Sequence, residues 1–354
     1  MTSSVNIKQY LFLFISVFFL SIPSMAQIGG NSVYKFLNLT SSARTAAMGG
    51  NFLAVKDDDL TQALFNPSII NTEMDNSLAL SFVDYYTDVN YGFASYAKSF
   101  NNIGTYHATM QYINYGEFTY ADETGQTYGT FTANELAMNI GWGRNLDSLW
   151  SIGANIKFIY SGLEAYQSYG LAVDVAGSYV SPKSGLTMSL IFRNIGTQLK
   201  PYRSGNFEPL PFEINFGLSQ RLKHLPLRYS FLFTNLQKWD LSYDDPNDPD
   251  NNVDPITGES YESGFSDFAD KVLRHIVMGF ELIPSKHFII RFGYNYQHRQ
   301  EMGLYNKMGL VGFSWGLGIR ISKIQIDYAR APYLIHGSPN QFTIRTNLSS
   351  WGRR

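Results

Sequence analysis

The stretch Phe212-Glu213-Ile214-Asn215-Phe216-Gly217-Leu218-Ser219 alternates apolar and polar residues without a break. Successive side chains of an extended chain point to opposite faces, so this segment has one apolar and one polar face. The same alternation runs through Ile152-Gly153-Ala154-Asn155-Ile156-Lys157-Phe158, Ile324-Gln325-Ile326-Asp327-Tyr328 and Phe342-Thr343-Ile344-Arg345. In another segment Phe288, Ile290, Phe292, Tyr294 and Tyr296 share one face. A soluble β-sandwich also alternates, but its strands average about five or six residues. Here the repeats are longer and the apolar face is rich in aromatic rings.

Working outward, the pattern predicts fourteen strands, near residues 78–86, 91–99, 104–115, 133–144, 149–161, 169–180, 185–196, 211–221, 226–239, 272–283, 287–297, 309–320, 324–330 and 341–350. Every second connection is tight, as at Asn101-Asn102, Pro284 to Lys286 and Ser322-Lys323. The others are mostly longer: Gly116 to Thr132, Thr197 to Leu210, Asp240 to Lys271, His298 to Met308 and Ala331 to Asn340, with a short one near Thr87 to Asn90. Loops sorted by parity belong to an outer-membrane β-barrel, with short turns on the periplasmic side and longer loops outside. The expected fold is therefore all-β, a transmembrane antiparallel barrel of about fourteen strands, with both chain ends on the periplasmic side.

Composition agrees. The 354 residues carry a net charge of −2, with 16% charged and 16% aromatic residues, including 24 Tyr and 26 Phe. Soluble domains hold about 25% charged residues, and amphipathic rings gather at membrane interfaces. A mean hydropathy of −0.16 is too polar for a helical membrane protein but suits a barrel with a polar interior. The near-neutral balance gives no support to nucleic-acid binding. With no cysteine there are no disulfides or thiolate metal sites. The six histidines, His107, His224, His275, His287, His298 and His336, form no paired-ligand motif, and no Gly-x-Ser-x-Gly elbow occurs. His298 beside Arg299 and Glu301 reads as part of a solvated loop. Nothing points to an enzyme or to a cofactor.

The organisation has three parts. Residues 1–26 read as a signal peptide: Lys8 closes a basic start, Tyr10 to Ile22 is apolar, and Ser24-Met25-Ala26 offers a cleavage site. Residues 78–354 are the barrel. Between them, 27–77 does not alternate. Its apolar Met48, Phe52, Leu53 and Phe65 suit a plug packed inside the barrel, because fourteen strands enclose more space than their own side chains fill. A short helix is expected from Ser42 to Met48, stopped by Gly49, while Asp57-Asp58-Asp59 reads as a solvated loop or a helix start. Lipid should meet the aromatic face. His107, Lys157, Asp174, Glu213, Arg291, Asp327 and Arg345 should face the lumen, where mixed charge suggests a salt-bridged interior.

The run Ser42-Ala43-Arg44-Thr45-Ala46-Ala47-Met48-Gly49-Gly50, followed by Ala54-Val55, the three aspartates and Asn66-Pro67-Ser68, resembles the plug of FadL-like outer-membrane proteins of Bacteroidetes. Within these it is similar to the PorV/PorQ group of the type IX secretion system, the PorQ-like barrels above all. The resemblance implies a plug motif of Ala43, Arg44, Met48, Gly49, Gly50, Asn66 and Pro67. It also implies a non-enzymatic outer-membrane role: anchoring a surface protein of the PorZ kind, near PorU and PorV, in a cell-surface attachment complex. FadL-like barrels in general suggest the alternative, transport of hydrophobic solutes. A dry, salt-bridged interior would favour the anchor, and an apolar pocket beside the plug would favour transport.

The connection Asp240 to Asp270 holds ten acidic residues and no Lys or Arg. Solvation or calcium binding are open readings, although the spacing is not that of a twelve-residue calcium loop. Its aromatic anchors within an acidic rim also suit docking of a basic partner surface, with Tyr243, Asp244, Asp245, Asp248, Asp250, Tyr261 and Phe265 as the contact set.

Overall fold

The computed structural model describes residues 32–242, 264–302, 309–332 and 337–352. Fourteen antiparallel strands close into one barrel, each hydrogen-bonded to its sequence neighbours, with β1 joined to β14. They are β1 Ser77–Asp84, β2 Asn90–Phe100, β3 Gly104–Ala121, β4 Thr127–Asn145, β5 Trp150–Leu163, β6 Tyr166–Ser181, β7 Leu186–Lys200, β8 Glu213–Arg221, β9 Leu227–Phe233, β10 Ile276–Ser285, β11 Phe288–Asn295, β12 Phe313–Ile321, β13 Ile324–Arg330 and β14 Asn340–Asn347. Closure leaves no unpaired sheet edge, a requirement for any strand assembly surrounded by hydrocarbon. Among the described residues no helix is long and apolar enough to cross a membrane.

Alternation sets the two faces of the wall. On β11, Phe292 is 54% exposed, while its neighbour Arg291 is 1% exposed. On β5, Phe158 is outward and exposed beside the buried Lys157. The outward set, including Phe82, Ile140, Ile156 and Ile344, forms an apolar outer surface. His107, Lys157, Asp174, Arg291, Asp327 and Arg345 are all buried inside, and Glu213 is half-buried there.

Several connections differ from expectation. The span Gly116 to Thr132 is mostly strand: β3 and β4 run on as a hairpin joined by a turn at Asp122 to Gln126. Stacked rings of Phe118 on Phe131 and Tyr120 on Tyr128 hold that extension together, offsetting its otherwise polar composition. The link from β5 to β6 is a two-residue turn, with Glu164 at φ 57°, so a second connection at this end is short. β9 stops at Phe233 instead of Trp239. β11 stops at Asn295, whose side chain accepts from His298 N at 3.1 Å and starts helix α3, Tyr296–Glu301. Tyr296 and His298 therefore sit on a helix, not on a strand face or in a loop.

Residues 32–76 pack against the inward face of the wall. Helix α1, Ala43–Ala47, begins in a capping box formed by Ser42 and Thr45. Ala43, Ala46 and Ala47 contact Ala329 and Ala331, and small side chains on both sides let the helix approach the sheet. Gly49, at φ 91°, turns the chain out of the helix. Three further single turns of 3₁₀ helix follow, at Leu60–Gln62, Pro67–Ile69 and Thr72–Met74. Asp59, Asn66 and Asn71 cap them, each accepting a backbone N–H two residues on.

Two outcomes check this architecture. Replacing outward Phe292 by Arg should cost about 2–4 kcal/mol if it lies near the bilayer midplane, while Phe292→Leu changes stability little, measured by urea titration in lipid vesicles. Single cysteines introduced into this cysteine-free chain report sidedness. Gly205, with open space around its Cα, should label on intact cells with an impermeant maleimide, and Lys183 should not.

Candidate functional site

Arg44 projects from α1 into a ring of carboxylates. Its Nε meets Glu281 Oε1 at 2.8 Å, Nη1 meets Asp59 Oδ2 at 3.0 Å and Nη2 meets Asp57 Oδ2 at 2.9 Å. Glu281 also receives Arg228 at 2.8 Å and Arg291 at 2.9 Å. Arg291 reaches Asp327 at 2.6 Å, and Arg345 bridges Asp327 at 3.4 Å and Asp59 at 3.1 Å. Arg228 closes the ring on Asp57 at 3.2 Å. Four arginines thus face four carboxylates, a neutral set tying residues 32–76 to β9, β10, β11, β13 and β14. Of the two readings of the triple-aspartate stretch, the helix start holds at Asp59, which is fully buried and caps the turn at Leu60–Gln62, while the exposed Asp58 pairs with Arg320 at 2.8 Å. Burial alone would raise the Asp57 carboxyl, but Arg44 and Arg228 hold it well below the ordinary range.

The opposite half of the wall carries a second polar cluster. Lys157 pairs with Asp174 at 2.7 Å and donates to Asn194 at 2.8 Å. Asn155 Nδ2 donates to Asp174 at 3.1 Å, and its Oδ1 accepts from the His107 Nε2–H across 3.1 Å. A β-bulge builds this corner. Val173 pairs with Ile195 and Val175 with Phe192, so Asp174 faces two residues, Arg193 and Asn194, and both point inward. Asn194 takes φ 57°, and its N–H reaches Asp174 at 2.8 Å. Arg193 then pairs with Glu213 at 2.9 Å, donates to the carbonyl of Leu37 and lies 4.3 Å over the ring of Phe65.

Each residue of the expected plug motif has a defined place in this interior. Ala43 packs on the wall and donates its N–H to Thr343 Oγ1 at 2.9 Å, and Arg44 centres the ion-pair ring. Met48 is buried against β10 and β11, and a methyl group on Gly293 would overlap the Met48 backbone. Asn66 caps the turn that starts at Pro67, and the Pro67 carbonyl region rests on Gly153 of β5. Gly50 lines a cavity of about 310 Å³ between this segment and the strand ends where β1 finishes and β8 begins. That cavity is also lined by Lys35, Asn51, Tyr85, Tyr91, Arg193 and Glu213. A smaller one, about 240 Å³, lies at the other end, where β1 starts and β14 finishes, between Asp58, Arg320 and Arg345.

The described residues include both borders of the acidic connection. Tyr243, Asp244, Asp245, Asp248, Asp250 and Tyr261 lie outside the described residues. Phe265 belongs to helix α2, Gly264–Arg274, so the stretch from Gly264 to Asp270 is regular structure and not loop. At the base, Trp239 packs on Phe268 with ring centroids 5.7 Å apart, and Asp240 pairs with Lys271 at 3.1 Å. Hydrogen bonds from the Ser242 hydroxyl and N–H, with Lys271 adding to them, hold the Asp240 carboxyl down at about 2. Among the described residues no group of His, Asp or Glu could hold a metal ion.

A closed antiparallel barrel of fourteen strands with an apolar outer face is a fold found among outer-membrane proteins. No family model and no curated protein matches the sequence. Among solved structures the chain is similar to the Pseudomonas putida toluene transporter TodX, with TM-score 0.53 and 10% identity over 87% of this chain and 97% of that one. It is also similar to the Ralstonia pickettii toluene transporter TbuX, with TM-score 0.51 and 12% identity over 88% and 99%. At such identities the likeness is one of fold.

Removing the central cation tests the ring. Arg44→Met leaves three buried carboxylates short of a partner and should lower stability by about 3–5 kcal/mol, read as a fall in the urea midpoint. The acid response follows from Asp57. Its depressed folded value means its contribution is complete above the ordinary carboxylate range, near pH 4, and is lost as pH falls toward the folded value. The segment should therefore stay protected from protease at pH 5 to 8 and loosen only in stronger acid.

Proposed function

We propose that this chain is an outer-membrane barrel of the transport type, kept closed at rest by residues 32–76 acting as a plug. The observation that carries the reading is the join between that segment and the wall. It combines apolar packing with a charge-neutral set of ion pairs, and the ion-paired part can exchange its partners for water and re-form. The fold shared with toluene transporters supports passage of small solutes across the outer membrane. Solutes would enter through the cavity beside Gly50 and leave by displacing the segment. The reading makes no use of catalysis.

A second reading rests on the ion-paired interior itself, which by the criterion of a dry lumen favours a membrane anchor. In that case the barrel would hold a surface protein of a type IX attachment complex, PorZ-like and near PorU and PorV, through the acidic connection above Trp239 and Phe268.

One pair of cysteines separates the two. The hydroxyls of Ser68 and Ser178 touch across the segment–wall boundary, so Ser68→Cys with Ser178→Cys should form a staple in the oxidised protein. Transport predicts solute uptake into proteoliposomes that stops on oxidation and returns with reductant. Absence of uptake in both states, with a surface protein co-purifying from native membranes, would favour the anchor.

A further inference from the structure

β2 stops pairing with β3 at Asn114, and β5 stops pairing with β4 at Ala133, so the hairpin from Glu117 to Phe131 stands clear of both neighbours. Its two faces differ. Glu117 pairs with Thr132 and Thr119 with Thr130, so one face is polar and offers lipid nothing to meet. Phe118 pairs with Phe131 on the other face. Phe131 is in step with Glu135 and Ala137, both buried on the inner side of the wall, so this second face continues the lumen side past the barrel. Tyr120 lies against Phe131 at 4.8 Å between centroids, and Tyr128 stacks on Tyr120 at 5.6 Å. With Phe118 on Phe131 at 5.1 Å, the rings form one ladder. Its end rings stay open, Phe118 at 42% and Tyr128 at 61% exposure.

The charge around the ladder has one sign. No Lys or Arg occurs from residue 99 to residue 143. Asp122 is engaged in the turn, accepting the N–H groups of Thr124 at 2.8 Å and Gln126 at 2.9 Å. The Tyr120 hydroxyl donates to Glu164 at 2.7 Å, which sets a further carboxylate beside the rings. On the adjoining strands, rings take a cation from the chain itself: Arg203 lies 5.5 Å over Tyr166, and Lys200 lies 5.7 Å over Tyr169. Among the described residues no Lys or Arg lies over a ring of the ladder.

We propose that the ring face of this hairpin docks an arginine-bearing segment of another protein. A guanidinium stacks flat on an aromatic face and pairs through its edge with a carboxylate, and this surface supplies both. Charge complementarity selects the occupant. A second copy of this chain brings the same acidic hairpin, and a phosphate-bearing lipid brings more negative charge, so both are repelled. A neutral glycan stacks on rings but gives Glu117, Glu123 and Glu164 no role. The inference rests on neither reading of function above, and its surface belongs to β3 and β4, not to the connection between β9 and β10.

The test uses the full chain in zwitterionic nanodiscs. Calorimetry is run with short peptides that alternate Gly with Arg, Lys or Glu, and with maltohexaose as the glycan probe. The Arg peptide should bind more tightly than the Lys peptide, and the Glu peptide and maltohexaose should not bind. Phe118→Leu with Tyr128→Leu keeps apolar cover on the hairpin but removes its open ring faces. Affinity for the Arg peptide should then fall about tenfold, through loss of two cation–π contacts. Glu117→Gln with Glu123→Gln should weaken it too and flatten its salt dependence. Both double variants should keep the heat-modifiable migration of a closed barrel, which separates loss of docking from loss of folding. Arg-peptide affinity unchanged by the Leu pair overturns the proposal, because the peptide then binds acidic residues elsewhere. No binding of the Arg peptide, maltohexaose binding that the Leu pair removes, or a dimer of the chain in detergent that the Leu pair dissolves overturns it as well.

Discussion

An arginine side chain 5% exposed, with three carboxylates around it, requires a closed wall on every side. Arg44 sits on a five-residue helix that has no stability of its own, since isolated helices that short do not persist in water. Its carboxylates come from its own segment and from β10, and those carboxylates are in turn shared with arginines of β9, β11 and β14. Neither the inner segment nor this half of the barrel is electrostatically complete alone. Burying eight charges costs several kcal/mol each in desolvation, and that cost is offset only if every partner arrives. The ring therefore makes the inner segment and strand closure one cooperative event.

The fourteen strands were legible because each has a lipid face that must be apolar and a lumen face that need not be. Phe292 beside Arg291, or Phe158 beside Lys157, declares its orientation from sequence alone. The extended β3–β4 hairpin was not legible. Beyond the membrane both faces meet water, so the alternation that marks a strand fades while the ring stacks that sustain it remain. The end of β11 was missed for a similar reason. Tyr294 and Tyr296 share strand spacing, and only the cap made by Asn295 shows that a helix starts between them.

The interior was legible in outline and not in its pairing. That His107, Lys157, Asp174 and Arg291 face inward follows from period two. That Asp59 meets Arg345, across nearly the whole chain, does not. The aspartate triplet read as a solvated loop or a helix start; Asp59 does start a helical turn, but local sequence carries no record of the distant arginine it meets. One available signal went unread, the glycines within strands. Gly153 and Gly293 lie where Pro67 and Met48 come against the wall, and glycine inside a strand often marks close approach of another backbone. Read that way, those glycines trace the path of the inner segment on the barrel.

The bulge at Asp174 has a consequence for the whole of β7. Before it, the inward residues are Thr187, Ser189, Ile191 and Arg193; beyond it they are Asn194 and Gln198. Odd positions give way to even ones within a single strand. The wall thus contains a dislocation one residue wide, comparable to an extra half-row in a crystal lattice. No exchange of one side chain for another can anneal it, because the offset lies in the backbone count. Any homologous barrel that keeps the Arg193 contact must keep that extra residue, and one that loses it must turn the far third of the strand inside out.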